Sequence, residues 1–306
     1  MLLRGESMII GILGLVIFGV VIGSLAANVP VIWSGFVPVF ALGTGLAAFG
    51  LLLRLRGFSP HLSALLFVVG LYPVFGSMMS ITTKLAFPLQ RPLIDERLFA
   101  IDRALGYDWD RAVEWMASSP ELSKILAVIY LSSFAQILAL VIWLGLTRRG
   151  AVLHQFLLTA MLATLMTTLF WFIWPSFGPA AYIDLPAETL AASGLVVTPE
   201  YGAVLMALAA TGFEQIDAHL ALGAIAFPSY HIVMAVMVVW FARGTWLFWP
   251  ALALNLPMIP ATLTHGGHHL IDLPGGVVVF ALAALLADRL MQSPAADPAP
   301  ALHLRA

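Results

Sequence analysis

Two short polar runs stand at the edges of otherwise apolar stretches. One reads Phe227-Pro228-Ser229-Tyr230-His231. The other reads Thr264-His265-Gly266-Gly267-His268-His269-Leu270-Ile271-Asp272, followed by Leu273-Pro274-Gly275-Gly276. Ionisable side chains in such places are costly unless they are paired or used. His268 and Asp272 are four residues apart and share one face of any helix that holds them both. An aspartate on one ring nitrogen fixes the tautomer, exposes the lone pair of the other nitrogen, and stabilises the cation formed when that nitrogen attacks an electrophile. His231, at another helix start, is placed to protonate a leaving oxygen and then deprotonate an attacking water or alcohol. Gly266 and Gly267 allow close backbone approach, while Ser229 and the free N–H groups of a helix start favour an anion. Together these groups suit phosphoryl transfer.

The elements that must position them are membrane helices. The chain has 306 residues, of which 61% are hydrophobic and 10% charged; a soluble domain carries roughly 25% charged residues. Apolar runs predict about eight spans, at 8–28, 31–53, 61–83, 124–146, 153–174, 229–246, 248–264 and 268–288. The seventh is short and bent by Pro257 and Pro260. The expected architecture is an all-α polytopic transmembrane bundle with interfacial amphipathic helices on the extracytoplasmic side. Residues 1–58 form two N-terminal spans, 59–292 the catalytic bundle, and 293–306, rich in Pro and Ala, a disordered cytoplasmic tail.

Lysine and arginine set the orientation. With a cytoplasmic N-terminus, Arg4, Arg54, Arg56, Arg148, Arg149, Arg243, Arg289 and Arg305 fall inside, and Lys84, Arg91, Arg97, Arg103, Arg111 and Lys124 outside. Both polar runs then lie on the outer face, expected to be that of a cell inner membrane. Two outer connections are too long for turns. In 84–123, Ile94, Leu98, Ile101 and Leu105 follow helical spacing, Trp109 and Trp115 suit the headgroup level, and Asp95, Glu96, Asp102, Asp108 and Asp110 read as a solvated face. In 175–228 a helical pattern follows near 200–220. Either connection can serve as a lid or as a plain solvated connector.

The pattern Pro-Ser-x-His, then His-x-x-x-Asp with Gly275 and Gly276 soon after, resembles the type 2 phosphatidic acid phosphatase superfamily. The double histidine before the aspartate is similar to inositol phosphorylceramide synthases and related bacterial membrane proteins. The likeness also takes in Pro175-Ser176-Phe177-Gly178-Pro179 and the segment from Asp95 to Trp109. It implies His268 as nucleophile, Asp272 as its orienter and His231 as general acid, in a membrane lipid-phosphate phosphatase without cofactor or metal. Lys84 to Pro92 matches the family's Lys-x6-Arg-Pro phosphate motif, but two helices further from Pro-Ser-x-His than usual. The connection in the usual place has no Lys or Arg, and Ala261 and Thr262 replace a customary Ser-Arg. An outer cationic clamp must therefore come from the 84–124 set, which makes Lys84 and Arg91 candidate phosphate ligands beside Ser229 and Gly267.

Alternatives remain at this level. His269, three residues from Asp272, competes with His268 as nucleophile. His265, His268 and His269 form a possible zinc trio; His265 alone reads as interfacial. His61, His154, His219 and His303 stand isolated. Transfer of a phospho-headgroup to another alcohol needs the same histidines as hydrolysis, and a non-catalytic lipid transporter or scaffold needs none of their chemistry. The expected partners are the bilayer and a lipid phosphate; a net charge of −2 gives no reason to expect nucleic acid.

Overall fold

The computed structural model describes residues 2–147, 149–218 and 223–292. The expected tail at 293–306, Arg148, His219 and His303 lie outside these residues. The described chain is helical, and its one β-bridge pairs Val31 with Ile216. In chain order the α-helices are α1 (Arg4–Ala27), α2 (Val37–Leu55), α3 (Pro60–Lys84), α4 (Asp95–Ala104), α5 (Trp109–Ala117), α6 (Pro120–Leu131), α7 (Ser133–Leu146), α8 (Gly150–Ile173), α9 (Ala187–Ser193), α10 (Pro199–Thr211), α11 (Tyr230–Ala242), α12 (Phe248–Asn255), α13 (Met258–Thr264) and α14 (Asp272–Met291).

Five of these, α1, α2, α3, α8 and α14, are long and apolar enough to cross a membrane, and a sixth span forms if α6 and α7 are taken together. The protein is thus an all-α, polytopic integral membrane protein with fewer full-length spans than the eight that hydropathy predicts. The expected span at 229–246 becomes the 13-residue α11, about 20 Å long at 1.5 Å per residue, against a hydrocarbon core of about 30 Å. The expected span at 248–264 divides into α12 and α13, with Pro257 at the break and Pro260 in the first turn of α13, where its missing N–H costs no helical bond. Between α6 and α7 the axis turns by 49°. There the Ser132 and Ser133 hydroxyls donate to the carbonyls of Ile129 and Tyr130 and compete with the helical ladder.

The core surrounds α3 and α8, whose apolar windows are 56% and 61% buried, against 17% for α1 and α2. Phe67, Phe75, Phe156 and Leu157 are almost wholly enclosed there. Lipid solvates such side chains as well as a neighbouring helix does, so close packing and polar contacts must hold the bundle together. Glycines supply the packing between α2 and α3: a Cβ on Gly43 would stand 2.5 Å from the Gly70 carbonyl oxygen. Polar contact comes from Glu6, fully buried at the start of α1. Its carboxylate accepts both guanidinium nitrogens of Arg54 at 2.6 and 2.7 Å, His154 Nε2 at 3.2 Å and the Leu3 amide at 2.8 Å. His154 is therefore not isolated; it helps bind α1 and α2 to α8.

Chain direction puts the ends of α3 and α8 and the starts of α11 and α14 together, at the end of the bundle opposite the Glu6 cluster. Helices α4, α5, α9 and α10 lie in the connections at that same end.

Candidate functional site

Helix α14 begins at Asp272, so His268 belongs to the loop before it rather than to the helix. This accommodates Pro274, which falls in the first turn, where an amide is not needed for the ladder. The bond expected from spacing forms all the same: His268 Nδ1 donates to Asp272 Oδ2 at 2.9 Å. Both residues are buried, and Asp272 Oδ1 has no hydrogen-bond partner among the described residues. With Nδ1 protonated, the neutral ring keeps a lone pair on Nε2. That nitrogen lies 3.4 Å from the Ser229 hydroxyl.

Ser229 precedes α11 without capping it through its side chain. The first amides of α11 have no partner within the helix, and they open beside the hydroxyl. His231 follows in the first turn. Its ring stacks on Tyr130 of α6, with centroids 3.9 Å apart and planes at 21°. The centroid of the His268 ring is 6.4 Å away, close enough for one tetrahedral group to touch both histidines. The Ser229 amide donates to the Asp272 carbonyl at 3.1 Å and joins the two helix starts. Gly276 lets them approach: a Cβ there would lie 2.5 Å from the Ser229 carbonyl oxygen and 3.0 Å from Ile232 Cβ. Gly267 adopts φ +60°, and its carbonyl meets Gly178, where a Cβ would collide with it. The 174–178 loop thereby closes over the histidine loop.

The adjacent histidine has another environment. His269 Nδ1 lies 2.6 Å from Asp102 Oδ2, and Nε2 lies 3.4 Å from Asp95 Oδ1. Asp95 and Asp102 are buried on α4 with Leu98, whereas Ile101 and Leu105 are exposed. This overturns the solvated-face reading for those two aspartates and rotates the expected apolar face. Besides His269, Asp95 accepts the Ser176 hydroxyl and Gly178 amide at 2.8 Å, and the Phe177 amide and Tyr182 hydroxyl at 3.3 Å. Burial, then the Asp95 charge, pushes the Tyr182 phenol upward. For His269, burial alone would lower the pKa; bonds to Asp102 and Asp95 and the charge of Asp272 override it and raise the value to about 9. The spacing of Asp95, Leu98 and Asp102 at i, i+3 and i+7 was the available signal for this face.

The remaining candidates divide clearly. Lys84 is buried and donates to the Asp217 carbonyl at 3.1 Å. Arg91 is exposed and lines a cleft of about 310 Å³ with Gly19, Gly23, Leu85 and Pro175. Among the described residues, no hydrogen bond or ion pair joins either cation to His231, His268 or Ser229. Trp109 is buried, and its indole donates to the Leu263 carbonyl at 3.1 Å; Trp115 is exposed. His265 is also buried, between the hydroxyls of Ser123 and Thr264 at 2.9 Å. The histidines of the possible zinc trio thus face different partners, and no group of three His, Asp or Glu converges as metal ligands would among the described residues.

A helical membrane bundle that brings two histidines together at one end can carry phosphoryl transfer. The family comparison agrees with it: residues 96–286, more than half of the chain, match the PAP2 superfamily, and the chain belongs to that superfamily. Its members are phosphoesterases and phosphotransferases, so an enzyme of that general type is supported. No curated protein and no solved structure matches the chain.

Proposed function

We propose that the protein is a membrane lipid-phosphate phosphatase that works through a phosphohistidine at the extracytoplasmic face. The observation that carries the reading is the buried His268–Asp272 pair, with Nε2 directed to Ser229 and the His231 ring across a 6.4 Å gap. Burial pushes the His231 pKa down to about 3, so the ring takes up its proton when the phosphate anion lies beside it. In the first step the Nε2 lone pair attacks phosphorus, the bond from phosphorus to the lipid oxygen breaks, and His231 gives that proton to the departing alcohol. Asp272 stabilises the positive charge on the ring. In the second step His231 takes a proton from water as its oxygen attacks phosphorus. The P–N bond breaks, inorganic phosphate leaves, and His268 regains its lone pair. Ser229, the first amides of α11 and the Gly267 loop receive the phosphoryl oxygens. The separation of Lys84 and Arg91 from the histidines favours neutral donors for that work.

A lipid substrate is supported by an apolar groove of about 270 Å³ between α11, α12 and α14. Ile232 and Leu273, which line it, directly follow His231 and Asp272 in the chain. The outer face is supported by Arg4, Arg56, Arg149, Arg243 and Arg289, all at the opposite end of the bundle. Cysteine at exposed Arg97 should react with an impermeant thiol reagent on intact cells, and cysteine at exposed Arg243 should not; the reverse pattern places the chemistry in the cytoplasm.

Headgroup transfer remains the second reading, favoured by the double histidine, with an alcohol in place of water in the second step. Purified protein incubated with a panel of lipid phosphates should release inorganic phosphate and lose that activity in His268→Ala. Transferred headgroup without free phosphate would support the second reading. Turnover retained in His268→Ala would defeat both enzymatic readings and leave a transporter or scaffold.

A further inference from the structure

Two neighbouring histidines are bonded in opposite ways. The His268 ring faces one carboxylate and one hydroxyl, a hydroxyl able to donate. The His269 ring faces a carboxylate oxygen at each nitrogen, Asp102 at 2.6 Å and Asp95 at 3.4 Å. A neutral imidazole has one N–H and must present its second nitrogen as an acceptor. Between two ionised carboxylates that arrangement sets a lone pair against an anion, whereas an imidazolium donates to both. His269 is fully buried, so water cannot serve in place of either partner.

The ring is tied directly to the nucleophile loop. Asp272 Oδ2, which accepts from His268 Nδ1 at 2.9 Å, also accepts from the His269 amide at 3.0 Å. Any shift of the His269 backbone therefore acts on the oxygen that orients His268. The next amide, Leu270, donates to Asp102 Oδ1 at 3.0 Å. On its other side Asp95 holds the Ser176 hydroxyl and Gly178 amide of the loop that covers Gly267. The groups around the ring are Asp95 and Asp102 with the Phe99 edge from α4, Asp272 from α14, Tyr182 through Asp95, and Tyr107 beside Asp102.

We propose that His269 is a positioning residue that works as an imidazolium at neutral pH, pinning the nucleophile loop between Asp95 and Asp102. This deepens the phosphatase reading and rests on it for its catalytic consequence. Above its pKa the ring would lose one of its two bonds, the loop would relax, and Asp272 would no longer hold His268 in line.

The test uses full-length protein labelled with ¹⁵N-histidine in detergent or bilayers. The His269 signals are assigned by their loss in His269→Gln. Both ring nitrogens should be protonated at neutral pH and titrate near pH 9. In Asp102→Asn that titration should fall by about one unit or more, because an opposite charge has been removed. Turnover of lipid phosphate should show an alkaline limb at the same pH in each protein, expressed in kcat with KM little changed. A ring with one unprotonated nitrogen at neutral pH overturns the proposal whatever the turnover. So does an alkaline limb that stays in place in Asp102→Asn, a variant that remains informative if His269→Gln fails to fold. The spectrum needs no turnover, so a protonated His269 in a protein that acts on no lipid phosphate would count against the phosphatase reading and not against the imidazolium.

Discussion

The two ends of the bundle each bury a carboxylate beside a histidine, and they differ in what is left over. At the Glu6 end both carboxylate oxygens are taken, by Arg54, His154 and the Leu3 amide. At the other end Asp272 Oδ1 has no partner among the described residues, Nε2 of His268 has only a long contact with Ser229, and the His231 ring makes no hydrogen bond among them. Buried polar groups are normally satisfied. A saturated cluster can bind helices but has nothing to offer a substrate, whereas one with uncommitted atoms has a reason to be there beyond stability. The contrast teaches that burial of charge alone does not mark a reactive site; what sets this end apart is an unsatisfied carboxylate oxygen beside two histidines with uncommitted nitrogens.

The sharpest way to break this contrast is to remove the proposed nucleophile. His268→Ala should abolish phosphoenzyme formation with every substrate, read by trapping acid-labile phosphate on protein shown to be folded. Label appearing on His269 would reverse the roles of the pair. His231→Ala should slow turnover of a lipid phosphate by about 10²–10⁴, the range for a general acid–base. With p-nitrophenyl phosphate, whose leaving group needs no proton, the first step should survive and phosphohistidine accumulate.

Glu6→Ala tests the saturated end. Breaking a buried ion pair from one side typically costs about 3–5 kcal/mol, to be measured as lost thermal or denaturant stability. Activity per folded molecule should be unchanged, and a large fall in kcat without loss of stability would erase the distinction between the ends. A smaller effect follows from His269. Its folded pKa of about 9 lies above the ordinary 6.5. Its stabilisation is therefore complete below about pH 6.5 and is lost as pH rises through 9. The difference corresponds to at most about 3 kcal/mol. Unfolding at pH 7 and pH 10 should show it, reduced in Asp102→Asn. Least affected should be Arg91→Ala: with the guanidinium in a separate cleft, kcat should fall by less than the 10² or so expected of an electrostatic contact in the transition state. A larger loss would bring Arg91 back to the phosphate.

The His268–Asp272 pair was legible because its spacing is local. Four residues separate His268 from Asp272, and Pro-Ser-x-His marks the second helix start in the chain itself. Hydropathy located the long helices for the same reason, and Pro257 with Pro260 announced a disturbed seventh segment, though not its division into two helices. The function of Asp95 and Asp102 was not legible. Asp102 meets His269 across 167 positions, and acidic residues on a short helix with Glu96 and Arg97 beside them look solvated. His154 was missed likewise, because Glu6 lies 148 positions away. The i, i+3, i+7 spacing with Leu98 could place Asp95 and Asp102 on a buried face, but no local pattern names a partner that arrives through tertiary packing.

Gly276 has a consequence of a different kind. The separation of His231 and His268 depends on the loop that carries His268 and on the thickness of the seam between α11 and α14, and that seam is as thin as two backbones allow, since even a methyl group would stand 2.5 Å from the Ser229 carbonyl oxygen. The enzyme's reaction distance is in this sense a machining tolerance held by one missing carbon. Alanine at that position would act as a shim, leaving every reactive atom present yet forcing the two helix starts apart, because the atom it meets is backbone and cannot swing aside.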